Sequence, residues 1–115
     1  DRIKEMGIHI VTQPIFLDEL GKNFRMSLDD AYLDHCYRFK TMLDKEINVS
    51  FSTDAPVVKN LNPFLGIKTA IDRKDKKGKT IAPKEGINME KSLYCYTMGS
   101  AVASRVDSKI GSLKV

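Results

Sequence analysis

The chain has 115 residues, of which 42% are hydrophobic and 30% charged, with a formal net charge of +4. Such a length is one domain's worth of material or less, and the composition is that of an ordinary globular chain rather than a disordered one. No apolar run approaches the ~20 residues that cross a bilayer, and no signal-peptide pattern stands at this start, which leaves the address of the intact protein open.

Residues 1 to 6 read as the end of a helix, with Ile3 and Met6 at helical spacing and Gly7 as the stop. Ile8 to Thr12 then form a short apolar strand that Gln13-Pro14 ends. His9 lies among Ile8, Ile10 and Val11 and reads as a packing residue rather than a metal ligand. From Ile15 to Met26 the apolar residues have poor periodicity, so a long loop with at most one helical turn is expected, of the kind that carries substrate contacts.

Ser27-Leu28-Asp29-Asp30 has the form of a capping-box start, the serine accepting an orphan amide while the acids favour the positive end of a helix. Leu28, Tyr32, Cys36, Phe39 and Leu43 recur at steps of three or four, which predicts one amphipathic helix to about Lys45 with a break near Tyr37. His35 and Cys36 are neighbours on it, but adjacent helical residues point about 100° apart and do not face one metal.

Val49 and Phe51 alternate with Ser50 and Ser52, the period-two pattern of a strand, and Pro56 should end that strand at about Asp54. Strand, helix and strand at this spacing make a βαβ unit with parallel strands, which puts Gln13 and Asp54 on one rim. A carboxylate at the C-terminal end of a parallel strand lies where α/β folds place their chemistry. The equal alternative is that Asp54 and Gln13 are turn residues before Pro56 and Pro14.

Beyond a loop at Pro56 to Leu61, Asn62 is the expected N-cap and Pro63 the first residue of a helix whose buried stripe is Phe64, Ile67 and Ile71. The loop from Arg73 to Gly86 carries the cluster Arg73-Lys74-Asp75-Lys76-Lys77-Gly78-Lys79. With a glycine in it and no aromatic interleaved, it reads as a solvated loop rather than a nucleic-acid surface. Asn88 caps a final helical region with Met89, Leu93, Tyr96 and Val102 facing the core and a junction at Gly99-Ser100, since mid-helix glycine is unfavourable. Tyr94 to Thr97 are core aromatics by spacing, with pocket lining as the other reading. Cys36 and Cys95 form no CxxC pair and are expected to be buried thiols in a reducing compartment, the cytoplasm.

Ser50-Phe51-Ser52-Thr53-Asp54-Ala55-Pro56-Val57 and Asn62-Pro63-Phe64-Leu65-Gly66-Ile67 occur in order with Gly111-Ser112-Leu113-Lys114-Val115. Together with Val11-Thr12-Gln13-Pro14-Ile15-Phe16 and Tyr94-Cys95-Tyr96-Thr97, they make the chain resemble the C-terminal part of a metal-dependent amidohydrolase, in the branch called amidohydrolase family 3. The resemblance implies an α/β fold, a partial (β/α)₈ barrel comprising the last two parallel strands with flanking helices, over residues 1–107. Residues 108–115 would then start the small flanking β domain, with Ile110 to Val115 beginning a strand. A whole barrel takes ~250 residues, so the chain is expected to be a piece of a larger protein.

By the same resemblance Asp54 matches the aspartate that binds the metal and takes a proton from the attacking water, and Gln13 is a candidate for substrate binding. The implied cofactor is a divalent metal in the intact protein, zinc foremost with manganese or iron as alternatives. None is expected to bind this piece, because the family's His-x-His pair and further ligands have no match here. Ser52 stands where the family commonly has glycine, which puts the fine fit of the pocket in doubt. The implied activity is hydrolysis of C–N bonds in small amide-like substrates by the intact protein, the 115-residue piece being inactive and prone to self-association, with no membrane or nucleic-acid partner. The rival reading is a small α/β binding or regulatory module whose basic loop, residues 73–79, binds an anionic partner.

Overall fold

In the computed structural model, which describes residues 2–113, α1 (Arg2–Glu5) ends at Gly7, whose φ of +63° takes the left-handed conformation that glycine adopts freely. β1 (Ile10–Thr12) and β2 (Val49–Phe51) pair in parallel, Ile10 with Val49, Val11 with Ser50 and Thr12 with Phe51. The sheet is lopsided. All three residues of β2 are buried, whereas Val11 of β1 is 59% exposed. His9 precedes the strand and is exposed, so it does not pack as its apolar neighbours led us to expect.

The segment expected to be a loop is a 13-residue helix, α2 (Ile15–Ser27). Gly21 makes it look broken in sequence, yet Gly21 is the residue that lets the helix approach its neighbour. A Cβ there would lie 2.6 Å from the Cβ of Asp75 and 3.0 Å from Ile81 Cδ1. Ile15 and Leu17 are 1% and 0% exposed, and Phe24 packs on the core from the same helix.

Ser27 is therefore the last residue of α2 and not a cap. The helix expected from 28 to 45 is two short ones, α3 (Asp30–Leu33) and α4 (Phe39–Asp44), and the break falls at Tyr37, which has a φ of +50°. Leu28 and Tyr32 are exposed, while Phe39 is fully buried.

α5 (Pro63–Asp72) starts as expected, the Asn62 side chain accepting from the Phe64 amide with Pro63 at the first turn. Its buried face is Gly66, Ile67, Thr69 and Ala70; Phe64 is 71% exposed, so the buried stripe is rotated from the expected one. A 3₁₀ turn at Pro83–Glu85 leads to α6 (Met89–Tyr96), capped by Asn88 through the Lys91 amide, and α7 (Met98–Ala103). The junction is Thr97 rather than Gly99-Ser100, and Ser92, Cys95, Gly99 and Ala101 face inward while Met89 and Leu93 are exposed. The small residues are inside because the helices lie close to the sheet: a Cβ on Gly99 would overlap the Val49 carbonyl oxygen. Residues 110–113 form no strand, and Lys114 and Val115 lie outside the described residues.

Aromatic rings run in series through this core. Phe24, Tyr37, Phe39, Phe51 and Tyr96 follow one another at centroid distances of 5.8, 5.8, 4.8 and 5.3 Å, joining α2, α4, β2 and α6. Each such pair contributes roughly 0.5–1.5 kcal/mol beyond the area it buries.

The basic cluster after α5 is not simply solvated. Arg73 is 1% exposed and in the left-handed conformation. Its Nε donates to the carbonyls of Ile81 and Ala82 at 3.2 Å each, its Nη2 donates to the Cys36 carbonyl at 2.7 Å, and the guanidinium lies 5.0 Å from the Phe39 ring centroid. Burial pushes its pKa down to about 10, with Glu85 pulling the other way, so it stays charged at neutral pH. Asp75 is buried too. It accepts from Arg25 and from the Lys77 and Lys79 amides, closing the basic turn onto α2. Glu85 accepts from the Thr41 amide and hydroxyl and ties the 3₁₀ turn to α4.

Candidate functional site

The parallel register decides what stands at the rim. Thr12 is level with Phe51, so one step further Gln13 is level with Ser52. Two hydrogen bonds join them there: the Ser52 amide donates to the Thr12 carbonyl at 3.0 Å, and Gln13 Nε2 donates to Ser52 Oγ at 3.0 Å. Gln13 and Ser52 are both half-buried. The two ends predicted to share a rim therefore do so, through Ser52 as the contact.

Asp54 lies beyond the last paired residue rather than at the strand's end, which is Phe51. It has a φ of +55° and opens a turn closed by the Val57 amide donating to its carbonyl at 2.9 Å, with the Ala55–Pro56 peptide bond cis inside it. Its side chain is exposed and, among the described residues, has no hydrogen-bond or ion-pair partner. An aspartate that served only to cap the turn would normally accept a nearby amide, as Asn62 and Asn88 do here. Asp54 leaves both oxygens available.

No group of three or more His, Cys, Asp or Glu that could hold a metal occurs among the described residues. Both histidines are exposed. Asp54 is suited to be one oxygen donor to a divalent ion, but a bound zinc takes about four ligands, so any others come from outside these residues. Cys95 is not a reactive thiol. It is fully buried, and burial pushes it up to about 12. Cys36, expected to be buried, is only half so, and both thiols are free.

A cleft of about 720 Å³ lies elsewhere, between α6, α7 and the segment around Ile110 and Gly111. Tyr96, Ser100 and Leu113 line it, and neither Gln13 nor Asp54 does. Among the described residues that line it, Tyr96 is the titratable one, and burial pushes its hydroxyl up to about 12. The basic loop has two of its charges engaged within the chain, Arg73 as above and Lys76 with Glu19 at 2.5 Å, which weakens the anion-binding reading. In the sequence Ser52 stands out only for occupying a place where glycine is common. Its pairing with Gln13 becomes visible only by carrying the strand register one residue beyond the ladder.

A family model described as the amidohydrolase family matches residues 1–115. Among solved structures, the chain is similar to an uncharacterized metal-dependent hydrolase from Pyrococcus horikoshii OT3, with a TM-score of 0.84 and 28% identity over 97% of this chain and 23% of that one. A second uncharacterized metal-dependent hydrolase, from Pyrococcus furiosus, gives a TM-score of 0.78 and 28% identity over 97% of this chain and 22% of that one. The chain spans less than a quarter of either protein's length. No curated protein matches it.

Proposed function

Because the chain belongs to the amidohydrolase family, we propose that it supplies the closing part of a metal-dependent hydrolase that cleaves C–N bonds in small amide-like substrates. In this reading residues 1–107 carry the last two parallel strands of a (β/α)₈ barrel and residues 108–115 start a flanking β domain. The intact enzyme would work in the cytoplasm; among the described residues no helix is long and apolar enough to cross a membrane. The observation that carries the proposal is the exposed Asp54 carboxylate, without a hydrogen-bond or ion-pair partner among the described residues, just beyond the end of two parallel strands.

Asp54 would hold a divalent ion as one of its ligands, zinc foremost, with manganese or iron as alternatives. Such an ion, when bound, acidifies water towards a pKa of ~7 and polarises a carbonyl oxygen. Asp54 would also be the group to orient a water and take its proton as general base, a role open to a carboxylate within hydrogen-bond reach of that water. Gln13, near the same strand ends, would line the substrate side, where its amide oxygen, without a donor among the described residues, can accept an N–H. The remaining ligands would come from other parts of the intact protein, so the 115 residues alone would be inactive.

The test is metal analysis of the full-length protein with and without Asp54→Asn, alongside hydrolysis of simple amides and esters. Stoichiometric zinc, manganese or iron that falls together with hydrolysis on losing the carboxylate is the expected result. Metal-free protein with hydrolysis unchanged by the substitution would overturn the proposal.

A further inference from the structure

Resting on the reading of Asp54 as ligand and general base, we infer that Gln13 is a positioning residue: through Ser52 it sets where the Asp54 carboxylate stands. Asp54 makes no side-chain hydrogen bond or ion pair among the described residues, so its place depends on how its backbone is held on either side. On the far side the chain is held by the Val57 amide bond back to the Asp54 carbonyl and by Val58, which is 7% exposed. On the near side the sheet ladder has ended at Phe51, and the anchor is Ser52, two residues before Asp54.

Ser52 is fixed at two points, and both lead to the end of β1. Its amide is bonded to Thr12 and its hydroxyl to Gln13. Gln13 is itself well held. Its carbonyl accepts the Phe16 amide at 3.1 Å in the first turn of α2, and the next two residues, Pro14 and Ile15, are buried. The side-chain amide thus ties a rigid helix start to the strand end that leads into the Asp54 turn. Removing it leaves Ser52 on one backbone bond at the edge of a short ladder, free to swing the turn. Partners that orient a ligating carboxylate typically matter 10–100-fold for metal affinity or activity when lost, and a misplacement of ~1 Å matters as much.

The experiment uses the full-length hydrolase, p-nitrophenyl acetate as the turnover probe, and Zn²⁺ titrated against a chromophoric chelator, with Mn²⁺ as second metal. Gln13→Leu and Ser52→Ala are each expected to lower kcat and weaken Zn²⁺ about 10-fold or more, and Ser52→Ala, which leaves the Gln13 amide in place, should keep KM within about twofold of wild type. The double variant should be no worse than the poorer single one, because both changes remove the same link. Ser52→Thr, which keeps the hydroxyl, should restore both readouts. A Gln13 that acted only by touching substrate would instead raise KM alone and leave Zn²⁺ affinity unchanged, and losses of Zn²⁺ affinity that multiplied in the double variant would show two independent roles; either overturns the inference. The zinc arm decides where the ester is not turned over. Asp54→Asn separates the two levels. If it abolishes zinc binding and turnover while Gln13→Leu changes neither, the positioning role falls and the reading of Asp54 stands. If Asp54→Asn changes nothing, or wild type binds neither metal, the underlying reading falls and takes this one with it.

Discussion

Gly66 and Tyr96 give the sharpest test of how α5, α6 and β2 are packed. An alanine Cβ at position 66 would fall within the van der Waals envelope of Tyr96 Oη and 3.0 Å from its Cζ. Gly66 sits inside α5, so alanine gains about 1 kcal/mol of helix propensity. Against that, the Tyr96 ring must retreat by about an ångström, and overpacking of this kind costs about 1–3 kcal/mol. The retreat also disturbs the edge-on contact of Tyr96 with Phe51, which contributes roughly 0.5–1.5 kcal/mol. Gly66→Ala should therefore destabilise by about 2 kcal/mol despite the helix gain.

Tyr96 Oη is buried without a hydrogen-bond partner among the described residues, so Tyr96→Phe removes an unsatisfied group and should be neutral or stabilising by up to ~1 kcal/mol. In the Tyr96→Phe background the overlapping oxygen is gone, and Gly66→Ala should cost little. The cycle thus predicts a coupling of about 2 kcal/mol, well above the ~0.5 kcal/mol expected of independent sites. Urea unfolding of the four proteins, followed by far-ultraviolet circular dichroism, measures it. Additive free energies, with Gly66→Ala equally damaging in both backgrounds, would refute the packing argument.

Arg73→Met should destabilise by about 3 kcal/mol in the same assay, because it leaves the Ile81 and Cys36 carbonyls without their donor while Ala82 keeps the Glu85 amide. Arg73→Lys should recover only part, since one ammonium cannot span all three carbonyls. Burial raises the Asp75 carboxyl, but the Arg25 side chain and the Lys79 and Lys77 amides outweigh it and hold the carboxyl below its usual 3.8. A depressed acid stabilises the fold above its unfolded pKa and loses that contribution as pH falls through its folded one, so stability should drop as pH falls below about 3.8. Asp75→Asn should flatten that acid limb, and an unchanged acid titration would count against the role of Asp75. Two short strands with Val11 uncovered leave an exposed edge, and we propose that the isolated 115-residue chain self-associates. Light scattering that shows a monodisperse monomer would disprove it.

Much of the rim is legible from local chemistry. The period-two run before Pro56, the apolar run before Pro14 and the helical spacing between them predict parallel strands with Gln13 and Asp54 at one end, and the strands pair in that way. Asn62-Pro63 and Asn88 announce their helices because a cap acts on its own neighbours through side-chain bonds to nearby amides. The site's links to the rest of the fold are less legible. Gln13 reaches across 39 positions to Ser52, and nothing in the spacing of either residue states which partner it takes.

The departures from expectation share one cause. By sequence Gly21 reads as a loop residue, Gly99 as a junction and Arg73 as part of a solvated cluster, and each is where it is because a distant backbone or side chain comes close: Asp75, the Val49 carbonyl and the Phe39 ring. The buried faces of α5 and α6 differ from the expected ones for the same reason, since small residues turn inward where helices approach closely and large ones are left outside. The sequence by itself determined the two parallel strands and the caps that open α5 and α6, because alternation along a strand and a cap on its own helix are interactions a few residues long. Only the tertiary structure decided which helix faces are buried, that Arg73 is a core residue and that Gln13 bonds Ser52, because close approach and hydrogen-bond partnership across the fold exist only once the chain has packed.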